Sequence, residues 1–272
     1  MIVTESGDRY RFVTQPAHAA LSGRFARHWG GDEVVAPTPR VPTVVAAETH
    51  DQGWSDYDCR PRLDADGDPV DFVAVDGDDW TDFYARGVDV AADIDPYAGL
   101  LVSMHAAGLR RGGYGVRTEI LDLSDEEPYA SFVDEQETRQ DEFAASLDLA
   151  ERDRDVLDTL HAEGRAPSGA IRSDLWKNYL LVQALDSLSL SVCHTARFET
   201  TEIGPVPIGG DDTTSIDVTP VGPATLRLDP YPFDIAALSV TVPRRVVPID
   251  AADLVAAYYD ADVRRFEVTF VA

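Results

Sequence analysis

The spacing of hydrophobic positions changes from a helical period to a strand period near residue 195. At 16–29, apolar side chains recur every three or four residues behind a proline, which is typical of an amphipathic helix. The same period predicts helices at 43–51, 79–92, 96–110, 128–148, 150–163 and 170–192. This part of the chain therefore predicts a helical core.

Both ends of the chain show strand-like patterns instead. Residues 1–15 alternate around Gly7-Asp8, which predicts a short strand pair. Residues 196–247 are rich in Pro, Gly, Thr and Val, with alternating runs at 224–228 and 238–242, before a helix at 250–260 and a strand at 264–271. The predicted fold is mainly α, or α+β overall: a helical core at 1–195 and a smaller β-rich C-terminal segment at 196–272 packed on that core.

Two connecting segments separate the predicted helices. Residues 55–79 are rich in Asp, Gly and Pro and predict a long loop, and loops of this length often cover a site. Residues 110–118 form a glycine-rich turn that lacks the G-x-G-x-x-G spacing and the strand–turn–helix context of a dinucleotide site. Neither segment by itself identifies a ligand.

Composition narrows the class of protein. The 272 residues carry a net charge of −26, the acid is spread along the chain, and Lys177 is the only lysine. Such a surface suits the high-salt cytoplasm of a halophile, where ions screen its self-repulsion. The scarcity of clustered basic residues argues against nucleic-acid binding. The sequence shows neither a run of eighteen apolar residues nor a secretory signal, so we expect neither a membrane protein nor a secreted one. We therefore expect a cytoplasmic protein whose cysteines, Cys59 and Cys193, are reduced and buried.

Polar residues interrupt the apolar stripes of several predicted helices. His18 shares a helical face with Leu21 and Phe25, and His105 and Asp186 likewise occupy apolar faces of their helices. The adjacent pair His50-Asp51 ends another helix. Any one of these residues alone is more simply a hydrogen-bonded core group or a helix cap. Together they resemble the way metal sites are built inside helical bundles.

The order His18, His50-Asp51, Asp186 is similar to the ligand order of the HD superfamily of metal-dependent phosphohydrolases. Five segments also look like an uncharacterised family of unknown function found in bacteria and haloarchaea: QPAH at 15–18, HDQGW at 50–54, YAGLLVSMH at 97–105, EQE at 135–137 and NYLLVQALDSLSL at 178–190. The likeness covers nearly the whole chain. The resemblance to the HD superfamily, in turn, implies an HD-like helical core in which His18, His50, Asp51 and Asp186 bind metal.

The resemblance and the ligand types together predict a chemistry. Imidazole and carboxylate ligands suit one or two ions of Mn, Fe, Ni or Zn. Asp51 and His105 are the candidate catalytic residues. The residues expected to orient the ligands or to wall a substrate pocket are Gln15, Trp54, Glu135, Gln136 and Asn178. The basic residue that HD enzymes use to hold phosphate is not evident, and Arg110, Arg139 and Arg172 are candidates.

Three functions remain open at this point. The first is a metal-dependent hydrolase that acts on a phosphorylated small molecule. The second is a di-iron oxygenase of the HD type, which additional histidines such as His105 favour. The third is a binding module without enzymatic activity, in which the inward polar residues form a hydrogen-bonded core. Metal content distinguishes the third function from the other two.

Overall fold

A computed structural model describes residues 1–117 and 120–272, so Thr118, the last residue of the glycine-rich segment, lies outside the described residues. The helices are α1 (Gln15–His28), α2 (Arg40–Thr49), α3 (Gly77–Ile94), α4 (Pro96–Gly108), α5 (Tyr129–Ser146), α6 (Glu151–Glu163), α7 (Asp174–Cys193) and α8 (Leu254–Asp260). The strands are β1 (Ile2–Ser6), β2 (Arg9–Val13), β3 (Thr201–Pro207), β4 (Thr213–Gly222), β5 (Thr225–Asp229), β6 (Ala237–Pro248) and β7 (Arg264–Val271).

The seven strands form one sheet in the order β1-β2-β6-β7-β5-β4-β3. The pair β5–β7 is parallel and the other neighbouring pairs are antiparallel. The N-terminal hairpin joins this sheet through β2, which pairs with β6 in the register Arg9↔Pro248 to Phe12↔Arg245. Strands from the two ends of the chain are therefore neighbours.

The prediction of a mainly helical fold with a small β part is wrong. The structure is α+β, with 48% of residues in helices and 21% in strands, and the sheet curls into a half-barrel. Local periodicity detects a strand but not its partner, so the joining of β1 and β2 to the C-terminal strands was missed. The division of the chain at residue 195 stays a prediction, although the single sheet takes strands from both segments.

One hydrophobic core lies between the sheet and the helices α1 and α7. Phe25 of α1 and Leu185 of α7 pack there with inward side chains of the strands, such as Val240 and Phe270. A second core joins α7 to α2, α4 and α6. Each fully buried Leu or Phe contributes roughly 1.5–3 kcal/mol relative to an exposed one. Because α7 belongs to both cores, a polar residue in its middle is held deep inside the protein.

Three of the helices that carry candidate residues, α1, α4 and α7, begin at capping residues. The side chain of Thr14 accepts the backbone N–H of Ala17 at the start of α1, and Ser173 accepts that of Trp176 at the start of α7. Asp95 accepts two backbone N–H groups at the start of α4. Caps of this kind contribute about 1 kcal/mol each and fix where the helix starts. They set the helical phase that turns His18, His105 and Asp186 inward.

The structure also bears on the predictions about the two thiols and about membrane-spanning helices. Cys193 is buried, but Cys59 is exposed, which corrects the prediction that both thiols are buried. Within the described residues, no helix has the length and hydrophobicity to cross a membrane.

Candidate metal centre

Four elements bring the predicted ligands together. His18 lies in the middle of α1, His50 caps the C-terminal end of α2, Asp51 follows it, and Asp186 lies in α7. Their exposed fractions are 0%, 1%, 3% and 7%. The turn after Asp51 is pressed against α3 at Gly53, where an added Cβ would lie 1.9 Å from the carbonyl oxygen of Phe83. The glycine thus permits the close approach that holds the His50-Asp51 pair in place.

The ligand atoms of these side chains face one another. The Nε2 atom of His18 lies 3.2 Å from Nε2 of His50, 3.3 Å from Oδ2 of Asp51 and 3.0 Å from Oδ1 of Asp186. The Nε2 atom of His50 lies 3.6 Å from the same oxygen of Asp51 and 3.5 Å from that of Asp186. His18, His50 and Asp51 form a compact group whose ligand atoms all lie within 4.8 Å of one another. Asp186 lies next to this group, and its Oδ1 atom is close to the Nε2 atoms of both imidazoles.

The outer nitrogens of the two histidines fix their tautomers. Nδ1 of His50 lies 2.9 Å from the carbonyl oxygen of Ala47, which can only accept, so this nitrogen carries a proton. The hydroxyl of Ser189 donates to the carbonyl oxygen of Asp186 and therefore accepts from Nδ1 of His18, 2.6 Å away. In the neutral imidazoles, both Nε2 atoms then direct a lone pair at the carboxylate oxygens. A proton or a metal cation must lie among these acceptors.

Without metal, the carboxylates favour a proton on the imidazoles. Burial lowers the pKa of His18, but hydrogen bonds and charge from Asp186 and Asp51 outweigh it and raise the pKa to about 9. Burial raises the pKa of Asp186, but hydrogen bonds from His18 and His50 hold it well below its usual range. The pKa of Asp51 is lowered as well, because the charge of His50 and the hydrogen bond from His18 outweigh burial. The carboxylates are therefore ionised and negative toward the centre.

His105 lies next to this group but has a different electrostatic setting. Its ring centroid is 5.0 Å from that of His50, and its Nδ1 lies 2.9 Å from Nε2 of Gln183. Burial, together with the charge of His50, lowers the pKa of His105 to about 4. The imidazole is neutral near pH 7, and because the amide nitrogen of Gln183 donates to Nδ1, its proton resides on Nε2. His105 can therefore donate a hydrogen bond but does not store an ionisable proton at that pH.

An aromatic and basic group borders the centre on another side. Burial, together with the charges of Asp51 and Asp186, raises the pKa of Tyr84 far above the usual range. The guanidinium of Arg110 is close enough to Tyr84 to influence that pKa, and it lies 3.8 Å from the ring centroid of Trp80. Nε of Arg110 is buried and has no hydrogen-bond partner among the described residues. By contrast, Arg139 and Arg172 pair with Asp89 and Asp211, each at 2.6 Å.

The structure places the residues predicted to support the ligands in several different surroundings. The indole of Trp54 is fully buried and packs on Phe83 and Tyr84, so it walls the side of the centre beyond Asp51. Glu135 is exposed to solvent. The backbone N–H of Gln15 donates to Asp58, Gln136 accepts from Ser103, and Asn178 donates to Tyr97. Among the described residues, no side chain of these last three hydrogen bonds to an imidazole of the centre.

Sequence reasoning missed the two residues that do bond to the imidazoles of His18 and His105. Ser189 follows Asp186 by three positions in α7, and Gln183 precedes Asp186 by three positions. Residues three apart on a helix share a face, so this spacing was a usable signal. Tyr84 carried no such signal, because it comes from α3, a helix without a predicted ligand.

Comparison with known proteins identifies a family but no activity. A search of curated proteins and a search of solved structures each find no match. Residues 1–249 match the model of a family described as "Protein of unknown function (DUF3891)". Because this match spans most of the 272 residues, the chain belongs to the DUF3891 family.

Proposed function

We propose that this member of the DUF3891 family is a divalent-metal-dependent hydrolase that acts on a phosphorylated small molecule. The observation that carries the proposal is the convergence at one buried point of the Nε2 atoms of His18 and His50 and the carboxylate oxygens of Asp51 and Asp186. Four buried acceptors around one point are costly unless a cation lies among them. The order of these residues is also similar to that of the HD phosphohydrolases.

The spacing of the ligand atoms fits a metal ion. Nitrogen and oxygen ligands lie about 2.0–2.2 Å from a metal such as zinc, which places neighbouring ligands of a tetrahedral site about 3.4 Å apart. The distances between the imidazole nitrogens and the carboxylate oxygens range from 3.0 to 3.6 Å. Three of the ligands, His18, His50 and Asp51, already form a compact set. Asp186 is the fourth ligand in this proposal.

The residues of the chain have separate roles in the proposed reaction. When bound, the metal supplies a Lewis acid that polarises the phosphoryl oxygen and lowers the pKa of water. Asp186 has the most exposed side chain of the four ligands, at 10%, so substrate approaches from its side. His105 donates a hydrogen bond from Nε2 as a neutral imidazole. Arg110, which carries no carboxylate partner among the described residues, holds the anionic part of the substrate.

A specific observation also favours a second candidate, a binding module with a polar core. The raised pKa of His18 lets a proton take the place of a cation, so that a charged imidazole is shared between Asp186 and Asp51. Such a network is stable without metal and performs no hydrolysis. The two candidates differ in whether the purified protein contains a stoichiometric metal.

The deciding experiment measures metal content by elemental mass spectrometry in the parent protein and in two variants. The protein is purified in high salt, which suits its net charge of −26, without chelator or a metal-binding tag. Asp51→Ala removes a proposed ligand. Asp58→Ala is the matched control, because it removes an equally buried carboxylate, 3% exposed, that lies outside the centre. Circular dichroism confirms that each variant is folded.

We expect one or two equivalents of Mn, Fe, Ni or Zn in the parent and in Asp58→Ala, and none in Asp51→Ala. The loaded protein should then hydrolyse phosphomonoesters at a rate that Asp51→Ala loses. If the metal is iron, with a visible absorbance band and oxygen uptake, the assignment as a hydrolase is replaced by that of a di-iron oxygenase. A parent protein that takes up no metal even after reconstitution would leave the polar-core module.

A further inference from the structure

A second polar site lies at one end of the half-barrel, beyond the C-terminal turn of α7. It is a pocket of about 340 Å³ lined by three arginines, Arg11, Arg197 and Arg244, and by the rings of Phe198 and Phe266. Among the residues that the structure describes, none in its lining is acidic, although the chain has 49 Asp and Glu against 23 Lys and Arg. The acidic composition of the chain predicts a negatively charged surface, whereas this pocket is positively charged.

The strand register explains how the arginines come together. Arg244 on β6 follows Val240 and Val242 on the core-facing side of the sheet, and Arg11 on β2 shares that side with Val13. Arg264 on β7 pairs directly with Arg244. At this end of the sheet, the apolar side chains of the core-facing side thus give way to arginines on the same side, where strand periodicity would place further hydrophobic residues.

These guanidinium groups lack counter-charges from the protein. Within the part of the chain that the structure describes, no carboxylate lies in salt-bridge distance of Arg11, Arg197, Arg244 or Arg264. Arg11 donates to the carbonyl oxygen of Ala196 at 3.0 Å, whereas Nε of Arg244 is buried and finds no hydrogen-bond partner in the described part of the chain. Burial and the charges of Arg11 and Arg264 lower the pKa of Arg244. Arg11 and Arg244 are partly buried, so neighbouring cations of the same sign are costly there, and a bound anion would relieve their repulsion.

The apolar side of the pocket is aromatic. The guanidinium of Arg244 lies 4.2 Å from the ring centroid of Phe266, and the rings of Phe266 and Phe198 are 6.1 Å apart and inclined by 34°. A volume of about 340 Å³ is within the range of small-molecule sites, which often occupy the mouths of β-barrels. Charge and shape together describe a ligand with one anionic group and one flat apolar part.

We propose that this arginine pocket binds a small aromatic anion, whose phosphate or carboxylate group contacts Arg11 and Arg244 and whose ring packs beside Phe198 and Phe266. The pocket is distinct from the candidate metal centre. Its lining residue Val192 lies six positions after Asp186 in α7, about 9 Å along the helix axis at a rise of 1.5 Å per residue. Binding therefore requires neither the metal nor its ligands.

Isothermal titration calorimetry of the full chain, stripped of metal, tests the proposal with phenyl phosphate, benzoate and phenol. We expect at least one of the two anions to bind and phenol not to bind, and comparison of the anions identifies the preferred head group. Arg244→Gln and Arg11→Gln should each weaken binding by about tenfold or more, because each removes a charge-assisted hydrogen bond. Arg265→Gln is the matched control: it removes the same charge one residue beyond Arg264, on the opposite side of the sheet.

Several outcomes would overturn the proposal. These are the absence of binding by both anions at millimolar concentration, equal binding of phenol, unchanged affinity in both arginine variants, or an equal loss in Arg265→Gln. Thermal unfolding of each variant shows whether it is folded. If Arg244→Gln does not fold, Arg11→Gln carries the test, because Arg11 is only partly buried at the rim.

Discussion

Replacement of Gly53 by alanine should disrupt the candidate metal centre without touching a ligand. An alanine Cβ at this position would lie 1.9 Å from the carbonyl oxygen of Phe83 and 2.6 Å from the backbone nitrogen of Gly87. Both are backbone atoms of α3, so no side-chain rotation relieves the overlap. Gly53 follows Asp51 by two positions, and any movement of this turn displaces that carboxylate and His50.

The size of the effect follows from the distances. Real Cβ atoms essentially never come closer than 3.0 Å, so the turn and α3 must separate by about 1.1 Å at this contact. Overpacking of a well-packed interior costs about 1–3 kcal/mol and occasionally more. Because the backbone of a long helix must shift here, we expect a loss above about 3 kcal/mol in the free energy of unfolding. Bound metal should be lost with it, since ligands need accurate placement.

Two other glycines calibrate the measurement. Gly87→Ala meets its nearest atom, the carbonyl oxygen of His50, at 3.2 Å. Its gain in helix propensity, about 1 kcal/mol, offsets that tight contact, so we expect a change within about 1 kcal/mol. At Gly209 an added Cβ meets no atom of the described residues within 4 Å, so Gly209→Ala should be neutral. Urea unfolding and metal content of the three variants give the order; a Gly53→Ala protein as stable as Gly209→Ala would refute the described contact between this turn and α3.

The remaining predictions concern the histidines and the thiols. Ser189→Ala removes the group that accepts from Nδ1 of His18 and should weaken metal binding by about 10–100-fold in a chelator competition. Ser191→Ala, which loses a hydroxyl from the same helix outside the centre, should have no such effect. Because the pKa of His18 rises from 6.5 to about 9 on folding, its stabilisation of the metal-free protein is complete below pH 6.5 and is lost as the pH rises through about 9. Urea unfolding with chelator should show this loss. Without chelator, the metal replaces the proton between His18 and the carboxylates, so this loss of stability should not occur. A metal-loaded protein that loses the same stability as the pH rises would contradict the assignment of His18 as a metal ligand. Finally, a thiol reagent at pH 8 should modify Cys59 alone, since burial raises the pKa of Cys193 to about 12. Rapid labelling of both thiols without denaturant would show that Cys193 is not buried.

The helices were predictable because the information that forms them is local. The periodicity at 16–29 and 170–192 matches α1 and α7 to within a few residues, since caps and apolar stripes are set by neighbours along the chain. Helical phase also identified His18, His105 and Asp186 as inward-facing. The convergence of these residues was inferred from their order, and the structure brings their rings and carboxylates together.

The same phase argument could not tell which inward polar groups meet. Gln136 and Asn178 are as buried as His105, yet they bond to Ser103 and Tyr97. An inward position fixes only a direction from the helix axis. The crossing of neighbouring helices decides which groups from different helices come into contact, and that geometry depends on the packing of whole surfaces.

By itself, the sequence determined the helices, the strand-forming ends, the excess of acid and the identities of the candidate ligands. The tertiary structure alone decided that β2 pairs with β6, which closes one sheet from both ends of the chain. That pairing also brings Arg11 and Arg244 to one pocket in an otherwise acidic protein. The reason is physical: a strand's period specifies which side chains face the core, whereas its partner is chosen by long-range burial and hydrogen bonding that no local pattern records.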